Sequence, residues 1–151
     1  MTLIAVGSPL PPFRVMDDRG NEVTEADWKD KTVVLYFYPK DDTPGCTREA
    51  CGFRDGLEAF TERGASVYGV SADDGPSHER FRDKFELNHP LLADVDRVLC
   101  QAFGVWGPQE WKGQVYEGIA RSTFVVKHGQ IAHVFPNVDP TGHPERVLAV
   151  L

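Results

Sequence analysis

The segment that most constrains this chain is Pro39-Lys-Asp-Asp-Thr43-Pro44-Gly45-Cys46-Thr-Arg-Glu-Ala-Cys51. It follows Thr32-Val-Val-Leu-Tyr-Phe-Tyr38, a β-branched and aromatic run that reads as a buried central strand. It opens a stretch in which Ala50, Phe53, Leu57 and Phe60 recur at spacings of 3, 4 and 3, the inner stripe of an amphipathic helix. Cys46, four residues before Ala50, falls on that stripe and in the first helical turn. There, unpaired backbone N–H groups and the positive end of the helix dipole stabilise a thiolate. At ~100° per residue, Cys51 is turned about 140° from Cys46, so it lies on the helix flank. A reactive thiol with a second thiol nearby implies redox chemistry.

The rest of the pattern predicts an α/β protein. Phe13–Met16 and Glu22–Thr24 read as short strands around the turn Asp17-Asp-Arg-Gly-Asn21. Cys46–Arg63 is expected to be helical and to stop at Gly64, followed by a strand over Ser66–Ser71. A helix over Pro76–Phe85, with Asp74 or Ser77 as its cap, leads to a short strand, Leu91–Ala93, and a helix over Asp96–Phe103. Gly104–Gly118, with four glycines, reads as a loop in which Trp106 and Trp111 act as anchors or line an approach. Ser122–Lys127 and Gln130–Phe135 pair as a hairpin across His128-Gly129, and His143–Leu151 is a last helix. The order suits a mixed central sheet flanked by helices, a thioredoxin-like fold with an extra N-terminal hairpin, in one domain over residues 1–151.

Composition narrows the function. Sixteen Lys and Arg against 23 Asp and Glu leave a net charge of -7, with the acids scattered, which argues against nucleic acid or anionic membrane as a partner. Met1-Thr-Leu-Ile-Ala-Val has no basic region and too short an apolar run for a signal peptide, so the cytoplasm is the expected compartment. Structural disulfides are uncommon there, and 3 cysteines cannot all pair within one chain. Cys100 shares a helical face with Leu99 and Phe103 and reads as a buried, inert thiol. The 5 histidines show no ligand spacing with one another or with the cysteines, so no metal and no cofactor are expected.

Several of these residues also have purely structural readings. Thr is a good N-cap and Pro favours the first helical position, so Thr43 and Pro44 serve a helix start equally well. Pro39 can simply end its strand. Gly52 and Gly56 fit either close packing against a neighbour or a helix kept easy to unwind. Arg121 alone reads as a surface arginine.

Taken together, Pro39-x-x-x-Thr43-x-x-Cys46, the continuation Cys46-Thr-x-Glu-Ala-Cys51, and Phe103-Gly-Val-Trp106-Gly with Tyr116-Glu-Gly-Ile-Ala-Arg121-Ser-Thr-Phe124 resemble peroxiredoxins. The likeness is to the bacterioferritin comigratory protein, or peroxiredoxin Q, group. It implies that Cys46 is the peroxidatic cysteine, attacking hydrogen peroxide or organic hydroperoxides and becoming a sulfenic acid. It further implies that Thr43 places the peroxide, that Arg121 keeps Cys46 ionised and stabilises the leaving oxygen, and that Pro39 covers the site. Cys51 matches the resolving cysteine of an atypical 2-Cys enzyme, forming a Cys46–Cys51 disulfide that thioredoxin or a similar dithiol reduces. Members of the group are often monomers, and a monomer is expected. A disulfide oxidoreductase would call for Cys-x-x-Cys, where this chain has Cys-x4-Cys. An inactive thioredoxin-like interaction domain or holdase would not call for the Pro39, Thr43, Cys46 and Arg121 set.

Overall fold

The computed structural model describes residues 2–151. Strands β1 (Arg14–Asp17), β2 (Glu22–Thr24), β3 (Thr32–Phe37), β4 (Ala65–Ser71), β5 (Leu91–Ala93), β8 (Ser122–Lys127) and β9 (Gln130–Phe135) form one sheet, in the order β2-β1-β5-β4-β3-β8-β9. β3, β4 and β5 run parallel; β1, β8 and β9 join antiparallel, so the sheet is mixed. The helices are α1 (Pro44–Glu62), α2 (Gly75–Phe85), α3 (Val98–Ala102) and α4 (His143–Leu148).

β3 carries the core on both faces because successive side chains on a strand point oppositely. Val33, Leu35 and Phe37 join Trp28, Val70, Phe103 and Phe124 on one side. Val34, Tyr36 and Tyr38 join Cys46, Ala50, Phe53, Phe60 and Phe81 beneath α1 and α2 on the other. Tyr36 stacks on Phe53 at 4.5 Å, fixing α1 over the centre of the sheet. Gly69 makes room for that ring: a Cβ there would lie 2.8 Å from Tyr36 Cζ.

The expected elements differ from these in a few places. Gly104–Gly118 is not a loop but most of an antiparallel hairpin, β6 (Trp106–Trp111) with β7 (Gln114–Ile119), turning at Lys112-Gly113. Gly107 and Pro108 hide the strand period, and the pairing is supplied by the partner strand rather than by propensity. A 3-10 helix, Glu25–Trp28, follows β2, and Trp28 at its end is fully buried. The helices expected at Asp96–Phe103 and His143–Leu151 are confined to Val98–Ala102 and His143–Leu148, whereas α1 begins two residues before Cys46, at Pro44. Asp74 caps α2, its carboxylate accepting from the Ser77 N–H at 2.9 Å. No helix among the described residues is long and apolar enough to cross a membrane.

Candidate active site

The site lies where β3 hands over to α1. Thr43 is the N-cap residue, extended in backbone, and the first helical bond runs from the Thr47 N–H to the Thr43 carbonyl at 2.8 Å. The N–H groups of Gly45 and Cys46 therefore have no carbonyl inside the helix to meet. Thr43 does not cap with its side chain as a threonine at this position is expected to. Its hydroxyl donates instead to the Lys40 carbonyl at 2.9 Å, which turns the side chain back over the loop. Pro39 and Thr43 are half-buried and line a cleft of about 830 Å³ together with Cys46, Asp73 and Arg121.

Cys46 sits at the floor of this cleft, 1% exposed. Arg121, 75 residues away in sequence, brings Nη2 to 3.3 Å from its Sγ. Arg121 lies one residue before β8 rather than in it, and its carbonyl accepts the Val138 N–H at 2.9 Å, which fixes the backbone from which the guanidinium reaches in. Burial would pull the Arg121 pKa down, but Cys46 and Glu49 together hold it above its usual value, so the group is cationic. Cys51 is half-buried on the α1 flank, and Cys46, Cys51 and Cys100 are all free thiols.

The structure adds a buried acid to the site. Glu49 is fully buried; its Oε1 accepts from Arg121 Nη1 at 2.8 Å, and its Oε2 has no hydrogen-bond partner. Burial pushes its carboxyl up to about 7 against the pull of Arg121. His143 Nε2 lies 3.9 Å from that orphaned oxygen and 2.8 Å from Thr123 Oγ1. Burial, Arg146 and Arg121 hold His143 down to about 4, so it is neutral near pH 7. The sequence carried signals for Glu49: it stands in the Cys46-Thr-x-Glu-Ala-Cys51 continuation and, three residues after Cys46, is an acid on an otherwise apolar stripe.

The glycines of α1 divide. A Cβ on Gly52 would meet Pro144 Cγ at 2.9 Å, so α4 needs that glycine to seat itself on α1. A Cβ on Gly56 would touch only Phe60 of its own helix, at 3.8 Å, so packing against a neighbour does not explain Gly56.

The hairpin β6–β7 forms the far wall of the cleft, with Trp106, Trp111, Tyr116 and Ile119 lining it. Trp111 is 64% exposed and anchors nothing; Trp106 is half-buried, with the Arg97 guanidinium 4.2 Å from its ring centre.

Comparison with known proteins identifies the family. Residues 6–134 match the AhpC/TSA family. A putative peroxiredoxin bcp from Coxiella burnetii is 42% identical over 149 residues, covering 98% of this chain and 99% of that protein. The chain belongs to the peroxiredoxins, in the peroxiredoxin Q or bacterioferritin comigratory protein group. Peroxiredoxin Bcp from Escherichia coli is 39% identical, with 98% of this chain and 96% of that protein covered. A cysteine-to-serine mutant of peroxiredoxin Q from Xylella fastidiosa superimposes with a TM-score of 0.93 at 34% identity, over 99% of this chain and 96% of that one. The bacterioferritin comigratory protein of Xanthomonas campestris, whose structure was described for its alkyl peroxide reduction activity, gives 0.86 at 37% identity, over 91% of this chain and 88% of that one. The thioredoxin-like fold of this peroxiredoxin is shared with both solved structures.

Proposed function

We propose that this peroxiredoxin reduces hydrogen peroxide and organic hydroperoxides through the Cys46 thiolate, and that Cys51 then closes an intramolecular disulfide. The observation that carries the reading is Arg121 Nη2 at 3.3 Å from Cys46 Sγ, at the floor of a cleft and at a helix N-terminus. The thiolate attacks one peroxide oxygen, the O–O bond breaks, and the leaving oxygen departs with the electron pair and takes up a proton. Arg121 and the N–H groups of Gly45 and Cys46 stand ready for the negative charge that develops, which is where fixed donors lower a barrier most. Thr43 orients the peroxide and Pro39 shields the thiolate from water. The Cys51 thiol attacks the resulting sulfenic sulfur, water leaves, and a dithiol such as thioredoxin reduces the disulfide.

Trp106, Trp111, Tyr116 and Ile119 give the cleft an apolar wall suited to an alkyl or aryl group, which supports organic hydroperoxides as substrates. The reading places the enzyme in the cytoplasm as a monomer, with no metal or organic cofactor and no nucleic acid partner.

Peroxide-dependent NADPH oxidation coupled through thioredoxin and its reductase tests the cycle. Cys51→Ser separates its halves: it should consume about one equivalent of peroxide per chain and then stall. Mass spectrometry should find about one or two added oxygens, sulfenic or sulfinic acid, on Cys46. A variant that stays as unmodified thiol would remove Cys46 as the reacting group. Sustained turnover at the wild-type rate would show Cys51 to be dispensable.

Gly45 gives a finer check on Arg121. A Cβ there would lie 3.2 Å from Nη2 and 3.7 Å from Pro140 Cγ, so the guanidinium must yield by a few tenths of an ångström. Gly45→Ala should keep or raise the melting temperature, since alanine favours helix, while slowing peroxide attack by about tenfold. An unchanged stopped-flow rate would mean that the Arg121 position is not critical.

A further inference from the structure

The loop that carries Pro39 and Thr43 is held from below by a buried polar cluster outside the cysteine site. The Asp41 carboxylate accepts three bonds: from Tyr38 Oη at 2.6 Å, from Ser77 Oγ at 2.8 Å, and from His78 Nδ1 at 2.7 Å. The Asp41 N–H donates to Asp73 Oδ2 at 2.9 Å, and Ser71 Oγ donates to that same oxygen at 2.6 Å. The His78 side chain is completely buried.

The protonation of His78 follows from its partners. Its Nε2 is 2.8 Å from the Leu92 carbonyl, which can only accept, so Nε2 carries a hydrogen. Nδ1 and Asp41 Oδ2, 2.7 Å apart, must then share a further proton, because two bare lone pairs at that distance would repel. The ligand-type atoms of Asp41, Asp73 and His78 lie within 4.8 Å of one another, but these hydrogen bonds already employ them.

We propose that His78 is a positioning residue for peroxide reduction: through the proton it shares with Asp41 it latches the Pro39–Thr43 loop over Cys46, and losing that proton releases the loop. The inference rests on the peroxidase reading above. Apart from this cluster, the loop is held by the Thr43 hydroxyl on the Lys40 carbonyl, a bond within the loop itself. Asp42 adopts a left-handed backbone, φ 55, and its ion pair with Lys84 is exposed on both sides, which makes it weak. Asp41 cannot turn away from an unprotonated His78 without giving up Tyr38 and Ser77 as well.

Asp41, Asp73 and the Leu92 carbonyl favour keeping the imidazole proton. Asp41 comes from the loop and Asp73 from the β4–α2 connection. Tyr38 comes from the end of β3, and burial and Asp41 push its hydroxyl well up, so it stays neutral. β5 contributes the Leu92 carbonyl, and Arg82, one turn along α2, is engaged by Asp18 at 3.0 Å. Burial would lower the His78 pKa, but the Asp41 bond and charge outweigh it and hold the group above its ordinary 6.5. A raised value means that the latch is fully present below the unfolded pKa and is lost as pH rises through the folded one.

The test compares wild type, His78→Asn and His78→Phe in single-turnover peroxide reduction across about pH 6 to 9. Ionisation of a thiol raises the rate with pH, so a loss on the alkaline side has a separate origin. The wild type should show that alkaline loss. His78→Asn, whose amide N–H can donate to Asp41 without titrating, should lack it and stay within about threefold of the wild-type rate near neutrality. His78→Phe should be slower by about 10- to 100-fold at every pH. Hydrogen-exchange protection factors over residues 39–45 should fall in His78→Phe, and in the wild type on the alkaline side, but not in His78→Asn. Identical pH profiles in wild type and His78→Asn, or unchanged protection in His78→Phe, overturn the proposal. Should His78→Phe fail to fold, the profile of His78→Asn decides alone. A wild type that consumes no peroxide overturns the peroxidase reading instead, and the protection factors still report on the latch.

Discussion

Cys46→Ser should reduce no peroxide above the uncatalysed background, while Cys100→Ser should keep most of the thioredoxin-linked activity. The argument is one of environment. Cys46 lies in the first turn of a 19-residue helix, has a guanidinium 3.3 Å from its sulfur, and lines a cleft. Serine keeps the shape of that arrangement, but its hydroxyl does not supply an ionised nucleophile near neutral pH. Cys100 is fully buried. Burial pushes its thiol far up, and Asp94 adds to the shift. The Asp94 carboxylate is already committed to the Leu99 and Cys100 N–H groups at 3.1 and 2.7 Å, so it anchors the start of α3 as a structural group. The measurement is initial-rate peroxide consumption by purified variants with matched circular dichroism. Substantial turnover in Cys46→Ser would sink the assignment. A collapse in well-folded Cys100→Ser would make Cys100 a resolving thiol.

How far the sequence reaches depends on whether a feature is local. β3 and α1 were legible because an apolar run with β-branched residues and a 3.6-residue stripe are local signals, and the structure follows both closely. The hairpin β6–β7 was not legible, since its strands are mostly exposed, lack a clean apolar alternation and are broken by glycine and proline, and each exists because the other is there. The same division runs through the site. Cys46 at a helix start is a local inference. Arg121 lies 75 residues away, and only the family resemblance placed it beside the cysteine. His78 and Asp41, 37 residues apart, carry no motif that joins them; their pairing exists only once α2 packs on the sheet at β5. Glu49 was half-visible, as an acid on the inner stripe, but its bond to Arg121 is a tertiary fact.

Oxidation by one equivalent of peroxide should convert the first two turns of α1 from helix to loop. α1 runs unbroken from Pro44 to Glu62. With a rise of ~1.5 Å per residue and a Cα radius of ~2.3 Å, five residues separate the Cα atoms of Cys46 and Cys51 by about 8.7 Å, with their side chains about 140° apart. A disulfide seldom tolerates more than about 7 Å, so it cannot close within the helix. The packing says where unwinding should stop. Phe53 is stacked on Tyr36 at 4.5 Å and meets the edge of His143 at 5.9 Å, while Pro144 sits against Gly52. The helix should therefore open from Pro44 to about Gly52 and hold from Phe53 onward. Glu49 gives the opening a pH dependence of known sign. Its carboxyl is raised by burial from 4.5 to about 7, so the wound form is favoured by its protonation. That advantage is complete below the unfolded value and lost as pH rises through the folded one, and conversion of sulfenic acid to disulfide should become easier over the same window. Hydrogen exchange over residues 45–52 should rise on oxidation, and residues 53–62 should stay protected. Equal protection of the first segment in both redox states, or a Cys46–Cys51 bond inside a regular helix, would refute the mechanism.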